Sequence, residues 1–208
     1  EGNWAEDQFE GQGSYYFANG DSYQGQWQAG QQSGHGKFSW NNGNSYEGQF
    51  RDNQRNGQGT FNWTNENRYT GQWRNGEQYG QGTKYWANGD RYEGQWQNNE
   101  MNGQGTFFYA NGNRFEGGFR NDQLNGHGTY YFYNGDRYVG EFRGDQKHGQ
   151  GSYFYNNGSK YVGQWVANRR QGQGTQVFAD GRRFVGAWKA NKKHGRGIFY
   201  GTDGDRLV

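Results

Sequence analysis

The sequence predicts an all-β protein, an elongated single-layer twisted β-meander of about nine 23-residue hairpin repeats. Three observations carry that expectation. Aromatic residues and glycines recur with an unbroken 23-residue period. Forty glycines stand in a chain that has no proline. Asn-Gly pairs, the strongest short hairpin signal, return at one phase of the period.

The first strand of each unit carries an aromatic residue at Tyr23, Tyr46, Tyr69, Tyr92, Phe115, Tyr138, Tyr161 and Phe184. Two residues later comes glycine, from Gly25 to Gly186, and two later again Trp27, Phe50, Trp73, Trp96, Phe119, Phe142, Trp165 or Trp188. Alternate positions of a strand share a face, so ring, glycine and ring lie together and the glycine leaves room for a neighbouring ring. The second strand opens with Gly-x-Gly and continues into aromatics of the same parity, as in Gly34, Gly36, Phe38 and Trp40. Asn-Gly at 19–20, 42–43, 88–89, 111–112, 134–135 and 157–158 closes one turn, both residues tolerating φ > 0. The other turn carries Gly30, Asn53, Gly76, Asn99, Asp122, Asp145, Asn168 or Asn191, all types that accept a left-handed backbone. Glu66 replaces a turn glycine, which predicts a different turn at 65–67; Lys84 and Gln176 replace strand aromatics. The result is a meander of about 18 strands, roughly 80–90 Å long at ~4.8 Å per strand.

The composition fits a thin, repetitive core. Leu, Ile, Val and Phe make up about 12% of the chain, below the ~20% at which disorder is expected. Aromatics compensate: they form 20% of the residues, and each buries about 150–250 Å².

The succession Tyr-x-Gly-x-Trp, Gly-x-Gly, an aromatic run and Asn-Gly-Asp resembles the MORN (membrane occupation and recognition nexus) repeat family. Tyr92-Glu93-Gly94-Gln95-Trp96 with Gly103-Gln104-Gly105-Thr106 carries the likeness, as does Tyr138-Val139-Gly140-Glu141-Phe142 with Gly149-Gln150-Gly151-Ser152. It extends over residues 1–208 as one continuous array, eight full units with partial units at both ends. The resemblance implies a groove that holds partner helices or peptides. The family's name reflects membrane association.

No enzyme is expected. Repetition argues against a singular catalytic site, and no nucleophile, base and orienting group stand in a set. His35, His127, His148 and His194 fall at two repeat positions read as loops, too dispersed for a metal. Gly34-His35-Gly36-Lys37 lacks the strand-to-helix context of a phosphate loop. Asp21, Asp90, Asp136 and Asp205 do not assemble the six or more oxygens of a calcium site. No cofactor follows. Cysteine is absent, which fits a reducing or an oxidising compartment, and no apolar run approaches the ~20 residues of a membrane helix. The compartment stays open between a cytoplasmic or cytoskeletal-peripheral site and a secreted or cell-surface one.

Three sets of residues are binding candidates. Trp40, Trp63, Trp86, Tyr109, Phe132, Tyr155 and Phe178 share one repeat position, as inter-repeat core or as the lining of a groove for a protein helix or peptide. Charge supplies the second set. Residues 1–66 carry a net of −5, residues 67–159 zero and residues 160–208 a net of +7. Arg169, Arg170, Arg182, Arg183, Lys189, Lys192, Lys193 and Arg196 could meet anionic lipid headgroups, each worth about 1 kcal/mol. The third set is Gly2, Trp4, Leu207 and Val208, which would pair head to tail between copies and propagate a filament. The expectation is therefore a scaffold for a protein partner or for itself, with anionic lipid as the alternative and no role for nucleic acid.

Overall fold

A computed structural model describes residues 2–208, all in strands and turns. Nineteen strands follow one another in an antiparallel meander. The chain divides into two compact units, Glu1–Asn102 and Gly103–Val208. The strands that begin in the first are β1 (Gly2–Ala5), β2 (Gln8–Tyr16), β3 (Ser22–Gln28), β4 (Gln31–Ser39), β5 (Ser45–Arg51), β6 (Gln54–Asn62), β7 (Arg68–Arg74), β8 (Glu77–Tyr85), β9 (Arg91–Gln97) and β10 (Glu100–Phe108). The second holds β11 (Arg114–Arg120), β12 (Gln123–Tyr131), β13 (Arg137–Arg143), β14 (Gln146–Phe154), β15 (Lys160–Val166), β16 (Arg169–Val177), β17 (Arg183–Lys189), β18 (Lys192–Tyr200) and β19 (Arg206–Leu207). Each full repeat is a seven-residue strand followed by a nine-residue strand.

The seven-residue strands alternate, most clearly in β3, where Tyr23, Gly25 and Trp27 are buried while Gln24, Gln26 and Gln28 are exposed. The core is the aromatic face of this single sheet. Tyr23 is 1% exposed and Tyr46, Tyr69, Tyr138 and Tyr161 are wholly buried. Each tyrosine ring crosses the backbone of the next strand where Gly-x-Gly removes the obstacle. A Cβ on Gly36 would strike the Tyr23 ring, and one on Gly59 the Tyr46 ring. The hydroxyl at the end of that ring donates to a backbone carbonyl, Tyr23 to Gln26 O at 2.9 Å and Tyr46 to Gln49 O at 2.9 Å. The indole of Trp27 donates to Gly13 O at 3.3 Å, tying a repeat to the one before it. Burial pushes the Tyr23 phenol up to about 12, because the anion would lose its hydration.

The first glycine of Gly-x-Gly has a separate cause. Gly25 faces Gly36 and Trp27 faces Gln32, so one residue of β3 opposes three of β4 in a β-bulge. Gly34 takes φ 61° within it. The Gln26 side chain fills the widened ladder and accepts from His35 N at 2.8 Å. Gln49 and Gln72 repeat the arrangement.

The turns correct three expectations. Asn-Gly does not place both residues at positive φ: Gly43 has φ 88°, whereas Asn42 is not left-handed. Gly43 N donates to Trp40 O at 2.9 Å and Trp40 N to Asn44 O at 3.0 Å, a type I turn with a left-handed glycine bulge. The asparagine contributes its side chain instead, Asn42 Oδ1 accepting from Asn44 N at 3.0 Å. The two-residue turn with both positions left-handed is the opposite one, at Ala29–Gly30, Asp52–Asn53 and Ala167–Asn168 among others. The turn at 65–67 is not of another type. Glu66 adopts φ 68° and donates to Trp63 O at 3.2 Å, as the glycine does elsewhere. Its neighbours' hydrogen bonds impose the geometry on a residue that disfavours it. The histidines lie in strands rather than loops, His35 in β4, His127 in β12, His148 in β14 and His194 in β18, because the bulge that Gly-x-Gly makes is internal to the strand.

Candidate functional site

Two rails of rings run across the aromatic face of each unit. The buried rail alternates edge to face: in the second unit Phe115 meets Phe142 at 4.9 Å, Tyr138 meets Phe142 at 5.1 Å, and Tyr138 meets Trp165 at 5.3 Å. The outer rail is only half-buried, apart from the buried Phe61. It contains the predicted ladder, whose members stand at the last residue before each Asn-Gly type turn, just past the strand end. In the first unit it runs Phe38, Trp40, Phe61, Trp63 with centroids 4.5, 5.1 and 4.5 Å apart. In the second it runs Tyr109, Tyr130, Phe132, Tyr153, Tyr155, at 5.7, 4.6, 5.6 and 4.5 Å. Phe178 continues onto Phe199 at 5.9 Å, and Trp86 lies against the Lys84 ammonium at 5.1 Å. These rings pack between repeats and keep a partly exposed edge.

Cations are set among these rings, a feature the periodicity alone did not expose. The Arg55 guanidinium lies 4.4 Å from the Trp73 centroid and 5.0 Å from that of Phe61, and donates to Gly76 O at 2.6 Å. The Lys147 ammonium is 5.1 to 5.6 Å from Tyr153, Trp165, Phe132 and Tyr138. Arg170 lies over Trp188 at 4.3 Å and Lys193 over Phe184 at 4.8 Å. The signal in the sequence is one repeat position, occupied by Gln32, Arg55, Gln78, Met101, Leu124, Lys147, Arg170 and Lys193, that always holds a long side chain. Burial lowers the Lys147 ammonium from its ordinary value, partly offset by the Asp136 charge. Burial would raise Asp136, but the Asn156 amide, the Tyr153 hydroxyl at 2.7 Å, Asn134 and Lys147 together hold it below the usual carboxylate value.

Hollows open between the rails and the left-handed turns. One of about 470 Å³ in the first unit is lined by Phe9, Tyr15, Phe17, Trp27, Gln32, Phe38 and Asn53. One of about 170 Å³ in the second is lined by Leu124, Tyr130, Phe132, Phe142, Asp145, Lys147 and Asn168. Their rims are fixed by turn side chains that reach the preceding repeat: Asn53 Oδ1 accepts from Gln32 N at 2.8 Å and Asn168 Oδ1 from Lys147 N at 2.9 Å. Preformed hollows that combine aromatic walls with fixed polar groups suit side chains of a bound segment.

The eight C-terminal cations do not share one surface. Arg170 and Lys193 sit on the aromatic face, and Arg182 pairs with Asp180 at 2.7 Å beside Phe178. Arg169, Arg183, Lys189, Lys192 and Arg196 take strand positions of the opposite parity and are exposed. Gly2 and Trp4 lie on β1, where Trp4 is 62% exposed and tilts onto Phe9 at 4.2 Å. Leu207 pairs with Phe199, and Leu207 and Val208 are exposed. Among the described residues β1 pairs only with β2 and β19 only with β18. No group of three or more His, Cys, Asp or Glu side chains gathers there as for a metal.

Fold and face together define a class: a tandem array of β-hairpins that presents a repeated aromatic surface. The model of the MORN repeat matches nine consecutive segments, 1–22, 23–45, 46–68, 69–91, 92–114, 115–137, 138–160, 161–182 and 184–206, and the chain belongs to that repeat family. No curated protein matches it by sequence. Among solved structures it is similar to the TCP10 domain of Danio rerio CPAP in complex with a STIL peptide, at 14% identity and TM-score 0.47 over 93% of this chain and 90% of that one. It is similar also to the Drosophila melanogaster dCPAP TCP domain in complex with a proline-rich motif of dSTIL, at 12% identity and TM-score 0.47 over 85% and 90%.

Proposed function

We propose that the chain is a non-catalytic scaffold whose aromatic face holds a segment of a partner protein. The observation that carries this reading is the half-buried outer rail with cations seated in it. Rings that keep an exposed edge offer apolar anchoring, and Arg55, Lys147, Arg170 and Lys193 add a preference for carboxylates beside those anchors. Selection of a displayed random peptide library on the whole chain tests it. Enriched peptides should combine aromatic or branched apolar residues with Asp or Glu. By calorimetry, Phe132→Ala and Lys147→Gln should each weaken them about ten-fold, or 1.4 kcal/mol, in variants that remain folded. Peptides that bind both variants as tightly as the parent would overturn the reading.

A second reading is self-association, favoured by the net of −5 over residues 1–66 against +7 over residues 160–208. In its most specific form Gly2 and Trp4 of one copy pair with Leu207 and Val208 of another, in a filament. Peripheral attachment to anionic lipid has less support. A membrane reaches one face at a time, and the C-terminal cations are divided between two.

A further inference from the structure

The face of the sheet opposite the rings changes character along the second unit. At one register position the seven-residue strands carry Glu47, Thr70, Glu93 and Glu116, and then Val139, Val162 and Val185. Two residues upstream of each, from Thr70 onward, stands a cation. Arg91 and Arg114 are ion-paired to their own Glu93 and Glu116 at 3.2 and 3.1 Å. Where valine replaces the carboxylate, the cation loses that partner: among the described residues Arg137, Lys160 and Arg183 form no ion pair, and like Arg114 over Tyr131 they lie against outward rings. Arg137 and Lys160 flank Phe154 at 4.5 and 4.7 Å, and Arg183 covers Tyr200 at 4.1 Å. Glu141, on the same face of β13, faces His127 at 3.4 Å.

Strand pairing orders these side chains into two rows across β13 to β18. One row reads Arg137, Phe154, Lys160, Val177, Arg183, Tyr200. Beside it run Val139, Ser152, Val162, Thr175, Val185 and Ile198, with Val162 and Val185 40% and 37% exposed. The rows are ~6.8 Å apart along the strands, and successive cations, two strands apart, are ~9.6 Å apart. A helix repeats a side-chain position every seven residues, or ~10.5 Å, which the long Arg and Lys side chains accommodate over three rungs. An extended segment repeats a face every ~6.8 Å and falls out of step at once.

We propose that this outer face of β13–β18 is a second docking surface, for an amphipathic helix of a partner protein. Its carboxylates stand at i, i+7 and i+14 over Arg137, Lys160 and Arg183, and its apolar residues at i+3 or i+4 and their heptad equivalents lie on the valine row. The proposal is independent of the aromatic face: charge complementarity and a matching repeat carry it.

The probe is a synthetic helical peptide with Glu at i, i+7 and i+14 beside a leucine stripe, labelled for anisotropy and titrated with the whole chain. An isomer of identical composition, with the three glutamates shifted to i, i+5 and i+10, is its control. The in-register peptide should bind at least ten-fold more tightly than the isomer. Combined Arg137→Gln, Lys160→Gln and Arg183→Gln, with an unchanged melting temperature, should abolish that difference, and Val162→Asp should weaken binding. Phe132→Ala on the aromatic face should leave it intact. Equal affinity for the two peptides, loss of binding in Phe132→Ala, or binding confined to mixed phosphatidylcholine and phosphatidylserine vesicles would overturn the proposal.

Discussion

A methyl group added at Gly151 and one added at Gly158 meet different surroundings. At Gly151 it would run into the Tyr138 ring, which has nowhere to go because it is wedged edge-on between Phe142 and Trp165. At Gly158 nothing lies within 4 Å, and only φ 87° opposes it. Gly151→Ala is expected to cost about 3 kcal/mol, the upper range for overpacking, and Gly158→Ala about 1–2 kcal/mol of backbone strain; chemical denaturation of both variants checks the order. Strain already present can also be relieved. Glu66 holds φ 68° and Ala190 φ 48°, so Glu66→Gly and Ala190→Asn should each stabilise the fold by about 1 kcal/mol. The tyrosines make alkaline pH the destabilising direction. Burial raises Tyr23, Tyr46, Tyr69, Tyr138 and Tyr161 above the unfolded value of 10.0. The folded state therefore retains protons that the unfolded chain releases, and stability is full below pH 10.0 and falls above it. Melting temperature and tyrosinate absorbance, followed together through that range, should show the share of absorbance that belongs to these five buried phenols rising only as the fold is lost; ionisation of every tyrosine ahead of unfolding would contradict the buried rail.

The hairpin as an element was legible because its period is set by backbone geometry. Ring, glycine and ring at alternate positions define a face, and Tyr23, Tyr46 and Tyr138 lie buried where that parity puts them. What the period did not reveal is how repeats are joined. Asn44, Asn67, Asn113 and Asp136 each accept, through Oδ1, from a backbone amide in the following turn, Asn44 from Thr64 N at 3.0 Å. Asn53, Asn99, Asp145, Asn168 and Asn191 reach back to the preceding long strand. In the sequence these residues look like turn formers only, since tolerance of positive φ and a side-chain acceptor reside in the same residue type. The bulge was hidden similarly, because Gly-x-Gly satisfies the parity argument whether its first glycine is left-handed or not. The cations among the rings were invisible for another reason: a charged residue at a core-facing position reads as an interruption until ring geometry surrounds it. Two substitutions at Asn168 separate the two duties of a turn residue. Asn168→Gly keeps φ 65° accessible but strands Lys147 N and should cost about 1 kcal/mol. Asn168→Ala adds the left-handed penalty and should cost about 1 kcal/mol more. Equal losses would mean that the turn's conformation imposes no penalty of its own.

At the scale of the whole molecule, charge is the property that repetition does not explain. A period of 23 residues would distribute acids and bases evenly, yet residues 1–66 hold 3 basic and 8 acidic groups and residues 160–208 hold 10 and 3. Among the described residues few of these groups are neutralised within the fold; the ion pairs at the two ends, Arg51 with Asp52 at 3.9 Å and Arg182 with Asp180 at 2.7 Å, are local and exposed. Charges this exposed interact weakly as pairs, about 0–1 kcal/mol each, so a single copy gains little from the asymmetry. Two copies with opposite ends in register sum many such terms, and the sum is sensitive to screening, with a Debye length of ~10 Å at 0.1 M salt and ~3 Å at 1 M. Sedimentation velocity over a concentration series should therefore show association near 0.05 M salt that dissolves by about 0.5 M. Charge reversal of Lys189 and Lys192, both exposed and off the aromatic face, should abolish that association without lowering the melting temperature. Deleting Leu207 and Val208 tests strand pairing separately. If association persists without them, the contact is electrostatic and side by side. If it vanishes at unchanged charge, the β1 and β19 edges pair between copies. A monomer at every salt and concentration would leave the asymmetry without a role in self-association and the aromatic face as the main binding surface.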